Sequence, residues 1–280
     1  MPSSNTISPH TGYRIDKEDK QYLLDTSMSM TEVNKAMKGF QRPDVVDPTS
    51  WSKIRNQGQE GSCQGHSIAA AGEGCYHVAS HSDISFSPDA AYYLTQKFDG
   101  LLGADNGSTI AGGMKMAYTI GFCPEPKMPY SDRYNPQDLP KDINEICAPY
   151  KIKKHIVFQG PDYFAQAIDW IGNGFGFLSY GIDWGVTLNS QGIASWSPQN
   201  RGGHANAGMG YQGPLSADGY PELLRGKNSW GDWGPLHGWY FWTRAMFNKV
   251  MAHPNSVLIG ISDMSDIRPR KISWAENPPC

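Results

Sequence analysis

The chain has 280 residues, of which 39% are apolar and 18% charged, and its net charge at neutral pH is −3. That size and apolar content suit one large domain or two small lobes around a shared cleft. The weak negative charge gives no electrostatic ground for binding nucleic acid or an anionic membrane. The 31 glycines, 20 prolines and 9 tryptophans are spread along the chain, which points to a loop-rich globular protein with many tight turns.

Residues 1–40 read as a polar N-terminal arm or short pro-segment, without the apolar core of an export signal. With no stretch long enough to span a membrane, this predicts cytoplasmic residence, or packaging from there into a virion or other assembly. Within the arm, Thr31 and Glu32 begin a short helix through Val33, Ala36 and Met37 that Gly39 can end. A proline-free, alanine-rich run from Ser62 to Ser80 predicts a helix capped by Ser62 or a neighbour, with Glu73 on a solvated face and small residues suited to deep burial. Ser87 with Pro88 opens a second helix, Ser108 a third that Gly121 stops, and Asp162–Gly172 is a fourth. Beyond Gly172 the bulky runs Phe175–Ile182, Ala205–Tyr211, Leu223–Asn228 and Trp239–Trp242 predict strands. Arg268–Cys280 reads as a tail. The expected class is α+β, with a helical first half and a mostly antiparallel second half.

Chemistry concentrates in three segments. Cys63 ends the run Asn56-Gln57-Gly58-Gln59-Glu60-Gly61-Ser62-Cys63, His204 lies in Gly202-Gly203-His204-Ala205, and Asn228 opens Asn228-Ser229-Trp230-Gly231. A thiol at a helix N-terminus faces the positive end of the macrodipole and unsatisfied N–H groups, which favour the thiolate. A histidine opposite it can hold the proton, and an asparagine can accept the other ring N–H and fix the imidazole. Gln57, six residues before Cys63, can aim its amide at a developing oxyanion beside the Cys63 backbone N–H. An isolated cysteine in such a helix would be an inert core residue, and an isolated histidine between glycines a turn residue. The order glutamine, cysteine, histidine, asparagine reverses both readings.

These segments resemble the papain family of cysteine peptidases over about Pro43–Trp242, with Trp51 and the run from Arg42 to Asp47 similar to the start of the mature enzymes. His204 lies 141 residues after Cys63, within the family's window of about 130–150 residues. The resemblance implies a two-lobe fold, one lobe helical and the other β-barrel-like, with the cleft between residues of about 41–150 and 151–267. It implies peptide-bond hydrolysis through an acyl-enzyme without metal or organic cofactor, acting on a peptide or protein substrate. Gln57, Cys63, His204 and Asn228 take the four catalytic roles by match. Trp230 would cover the Asn228–His204 bond, and Trp233 would wall the leaving-group side. Gly107 and Ser108 would offer backbone hydrogen bonds to an extended peptide, although Ser108 can equally cap the following helix. Ile110 and Ala205 would line the pocket for the second residue before the cleaved bond, leaving it open at the floor and favouring Leu, Val or Phe over Arg or Asp, unless Asp263 or Asp266 reaches in. The family's disulfide next to the nucleophile is missing: Glu60 and Asp105 stand at its two positions, as in a bacterial-type, bridge-free branch. Gln64 stands where an aromatic is usual, and His66 replaces a core aromatic.

Weaker constellations remain. Cys75, His77 and His81 have partial zinc spacing without a second ligand pair, and Asp99–Ser108 lacks the final glutamate of a calcium loop. Two further readings stay open: a papain-fold structural or binding component of an assembly, with the arm docking on a partner, and an amide hydrolase acting on a nonprotein substrate such as a peptidoglycan stem.

Overall fold

The computed structural model describes residues 12–14, 23–37, 41–199 and 202–262. The expected tail, Arg268–Cys280, lies outside them, as do Asp263 and Asp266. The helices are α1 (Met30–Met37), α2 (Cys63–Ser80), α3 (Pro88–Asp99), α4 (Ile110–Thr119), α5 (Ile143–Cys147), α6 (Tyr163–Gly172) and α7 (Arg244–Met251). The strands are β1 (Tyr13–Arg14), β2 (Ser108–Thr109), β3 (Lys154–Val157), β4 (Phe177–Asp183), β5 (Val186–Leu188), β6 (Ala194–Trp196), β7 (Gly203–Leu215), β8 (Pro221–Lys227), β9 (Trp239–Thr243) and β10 (Val257–Ser262).

Local chemistry sets the helix starts. Ser29 and Glu32 form a reciprocal capping box ahead of α1, with the Ser29 N–H on Glu32 Oε2 at 2.9 Å and the Glu32 N–H on Ser29 Oγ at 3.2 Å. Ser87 caps α3 by accepting from the Ala90 N–H, with Pro88 in the first turn, and Asp162 caps α6 by accepting from the Ala165 N–H. Two caps depart from expectation. Ser62 sits at the start of α2 but makes no side-chain capping bond. Thr109, not Ser108, caps α4, because Ser108 is drawn into β2 and its hydroxyl donates to Gln64 Oε1 at 3.2 Å.

The largest sheet runs β2–β1–β7–β4–β10–β3, with β8 on β7 and β9 on β8. It is mixed, since β1 and β2 are parallel. The barrel-like closure expected of the second lobe does not occur among the described residues. β3 pairs only with β10 and β9 only with β8 as strands, so the two ends stay apart. Register shifts in the β7–β8 pairing, at Gly208/Gly210 and Gln212/Leu215, coil the sheet instead.

Helix α2 is the central pillar. Every residue from Cys63 to Cys75 is buried, polar Gln64, His66 and Glu73 included, so the helix is packed on all sides over its first three turns. Its glycines allow the approach: a Cβ on Gly65 would lie 2.5 Å from the Pro88 carbonyl oxygen, and one on Gly74 would lie 2.2 Å from the Phe177 ring. Glu73, expected on a solvated face, is instead buried. It takes Arg55 Nη2 at 2.8 Å and the Phe86 N–H at 2.9 Å on one oxygen, and Lys227 Nζ at 3.9 Å on the other. The cations of two loop and strand segments thus share one carboxylate from the helix. Burial pulls the Lys227 ammonium down to about 8, and Glu73 opposes that shift. No described helix is long and apolar enough to cross a membrane.

Candidate active site

Cys63 is the first residue of α2, with its thiol at the helix's positive end. The preceding loop is tied to the segment after β8. The Gln57 N–H donates to the Ser229 carbonyl at 2.7 Å, and Asn56 bridges Trp230. The Gln57 side chain is fixed at both ends, Nε2 donating to the Glu60 carbonyl at 2.7 Å and Oε1 accepting from Ser229 Oγ at 2.6 Å. Asp105 accepts the Gly61 N–H at 2.9 Å and the Tyr92 hydroxyl at 2.7 Å, while Tyr93 donates to Glu60 at 2.8 Å. Hydrogen bonds to carboxylates therefore pin the loop. The four cysteines among the described residues are free thiols.

His204 sits on β7 opposite Ile182 of β4. Its Nε2–H donates to Asn228 Oδ1 at 2.8 Å, which leaves Nδ1 as the basic nitrogen of the neutral ring. Trp230 lies over the ring at 4.4 Å between centroids, and Trp184 meets it edge-on at 4.6 Å. Trp233 packs against both tryptophans. Trp184 escaped the sequence reading. Its one signal was its place just after a predicted strand.

Burial favours the neutral form of both Cys63 and His204. Burial pushes the Cys63 thiol up to about 11, against backbone N–H groups of Ala205, Gly12, Gln64 and Tyr13 that favour the thiolate. Burial likewise pulls His204 down to about 4, with Asn228 opposing. His204 Nδ1 makes no hydrogen bond among the described residues. His66 is also held neutral by burial, down to about 3, with Nδ1 3.1 Å from the Ser62 carbonyl and its ring edge-on to Tyr130. His77 stacks on Trp51 and pairs with Asp83.

Part of what surrounds the thiol is the segment Gly12–Arg14. Residues Gly12–Arg14 thread the cleft, with β1 parallel to β2 on one side and antiparallel to β7 at Gly203 on the other. The Ser108 N–H donates to the Gly12 carbonyl at 2.8 Å. Only a glycine fits at position 12, since a Cβ there would come within 1.8 Å of the Gly61 carbonyl oxygen. The backbone N–H groups of Gly12 and Tyr13 in this segment favour the thiolate. The sequence carried no periodicity to reveal this two-residue strand.

The remaining expected contact residues divide. Ser108 meets the bound segment. Gly107 turns inward, its N–H donating to Tyr92 Oη and its carbonyl accepting from Gln96 Nε2. Ile110 and Ala205 are buried beside the cleft strands. No group of three or more metal-ligating side chains occurs among the described residues.

No family model and no curated protein matches the chain. Solved structures do. Xylellain, a cysteine protease from Xylella fastidiosa, aligns with TM-score 0.67 and 21% identity over 91% of this chain and 97% of its own. Digestive procathepsin L2 from Tenebrio molitor larval midgut aligns with TM-score 0.65 and 18% identity over 91% of this chain and 78% of its own. The Carica candamarcensis cysteine protease CMS1MS2, solved in complex with E-64, aligns with TM-score 0.55 and 16% identity over 79% of this chain and 98% of its own. With helix α2 packed on β7 and these structures superposing along the chain, the protein has the papain-like cysteine protease fold.

Proposed function

We propose that the chain is a cysteine endopeptidase, present here in a latent form whose cleft is filled by its own residues 12–14. The observation that carries this reading is the His204–Asn228 bond at 2.8 Å, which leaves His204 Nδ1 as the free base on the strand beside the Cys63 thiol. Once the segment leaves, water and substrate enter, and the burial that holds both groups neutral is relieved. The thiol proton passes to His204 Nδ1, and the thiolate attacks the substrate carbonyl carbon. The oxyanion meets the Cys63 N–H and the Gln57 side-chain amide. Collapse expels the amine, which takes its proton from His204, and water then hydrolyses the thioester by the same route in reverse. Asn228 keeps the ring oriented, and Trp230 and Trp184 shield the bond that does so.

The complete burial of Cys63 favours one competing reading, a papain-fold binding or structural component that performs no chemistry. The full-length Gly12→Val variant separates the two. Valine collides with the Gly61 carbonyl and unseats the segment. The peptidase reading expects an epoxysuccinyl peptide to label Cys63 in this variant, mapped by mass spectrometry, together with hydrolysis of peptide substrates. Labelling without cleavage of any peptide removes the endopeptidase reading and leaves the structural component or a nonprotein amide as substrate.

A further inference from the structure

Tyr13 occupies a pocket built for it. Its side chain is buried, and its hydroxyl donates to the Asn255 carbonyl at 3.2 Å. The walls are set by the register of β4 on β7, in which Gly181 faces Ala205 and Asp183 faces Gly203. Residues two apart on a strand share a face, so Gly181, Gly203 and Ala205 form a shelf without branched side chains. A Cβ on Gly181 would lie 2.4 Å from the Tyr13 ring, and one on Gly203 would lie 2.6 Å from it. Glycine weakens a strand interior, and two of them here give a flat ring direct access to the backbone. Asp183, on the same face, accepts Asn255 Nδ2 at 2.9 Å and so holds the residue whose carbonyl meets the hydroxyl.

This differs from the open, wholly apolar pocket expected beside Ile110 and Ala205. A flat slot floored by Gly181, Gly203 and Ala205, with the Asn255 carbonyl as an acceptor at its end, matches a phenol. An aliphatic side chain leaves the slot part-filled, and phenylalanine leaves the carbonyl facing a ring edge. We propose that this pocket reads tyrosine, so that the enzyme's substrates are peptides with tyrosine two residues before the cleaved bond, that Tyr13 mimics this side chain in the latent form, and that Asp183 is the positioning residue for the Asn255 acceptor. The proposal rests on the peptidase reading for the place of the pocket relative to the cleaved bond.

The test uses full-length Gly12→Val protein and matched fluorogenic dipeptides differing only in Tyr, Phe or Leu at that position. The expected kcat/KM is roughly 3- to 10-fold higher for Tyr than for Phe, the range of one net hydrogen bond, with Leu below both. Matched dipeptidyl epoxides read the same pocket without turnover, through the rate of Cys63 labelling. In the otherwise unchanged chain, Tyr13→Phe should loosen the segment and speed Cys63 labelling by a similar factor. Asp183→Ala should bring the Tyr-to-Phe ratio toward one, and Asp183→Asn, which can still accept from Asn255, should restore it. Phe equal to or better than Tyr in both assays, or a labelling rate indifferent to all three side chains, overturns the proposal while the peptidase reading stands. Tyr-selective labelling with no peptide cleaved leaves the pocket in place and removes the peptidase reading. No labelling by any of the epoxides overturns both.

Discussion

The Cys63 thiol is held neutral by what covers it, and this makes its titration a direct report on the cleft. With a pKa of about 11, only about one thiol in ten thousand is ionised at pH 7. Alkylation of Cys63 in the intact chain should therefore be slow at neutral pH and rise with pH toward 11. In Gly12→Val the same profile should move down to the ordinary thiol range of about 8.5 or below, because the helix N-terminus remains and the burial does not. Mass-spectrometric mapping across pH checks this, and identical profiles in the two proteins would contradict it. In the unseated enzyme, His204→Ala should cost roughly 10²–10⁴-fold or more in kcat/KM. Asn228→Ala should cost measurably less, since the asparagine orients the ring and moves no proton. Gln57→Ala should lower kcat by roughly 10²–10³-fold if its amide meets the oxyanion. It should also reduce stability, because the same side chain ties Glu60 to Ser229.

At the scale of elements, propensity and packing compete along α2. Alanine is better than glycine in a helix interior by about 1 kcal/mol, so Gly65→Ala would stabilise an isolated helix. In the fold its methyl group would meet the Pro88 carbonyl at 2.5 Å and Tyr92 Cβ at 2.8 Å, both parts of α3 that cannot move aside alone. Overpacking costs about 1–3 kcal/mol, which outweighs the propensity gain, so the variant should unfold at lower urea with an unchanged m-value. The caps of α3 and α6 were legible because serine and aspartate act on their own next turn. The cap of α4 was misread by one residue because β2 recruits Ser108, and β2 exists only where β1 lies beside it. Glu73 was misread for a similar reason: nothing near it in sequence announces Arg55 or Lys227 as its partners.

Across the whole molecule, pH acts through buried carboxyls as well as through the thiol. Asp89 and Glu60 lie together beneath the Gln57 loop, and burial followed by the Glu60 charge pushes Asp89 up to about 8. Asp89 Oδ1 lacks a conventional partner, and a proton on it shared with Glu60 resolves the contact. A group whose folded pKa is raised contributes stability that is complete below its unfolded value of about 3.9 and is lost as pH rises to the folded value. The fold should therefore lose stability between about pH 4 and 8 through this pair. Asp89→Asn keeps an acceptor for the Ser131 N–H and supplies an N–H to Glu60. It should flatten that dependence and raise stability at pH 8 by on the order of 2 kcal/mol, a fraction of the full shift because buried pairs relax. Urea titrations at pH 5 and pH 8 measure it, and an unchanged slope would show that the pair does not share a proton.

By itself the sequence determined the α+β class, the main helices and strands, and the four residues of the proposed chemistry. Those signals are local: caps act within one turn, bulky runs mark strands, and Gln57, Cys63, His204 and Asn228 sit in short motifs with family spacing. Only the tertiary structure decided that the sheet stays open, that carboxylates at positions 60 and 105 hold the nucleophile loop, that Trp184 covers His204, and that Gly12–Arg14 lie in the cleft with Tyr13 in a fitted pocket. Each of these depends on residues far apart in sequence meeting at short range. A two-residue strand has too little pattern of its own to show where it docks. Its place is set by glycines at 12, 107, 181 and 203 that leave room for it, and that complementarity exists only in the folded chain.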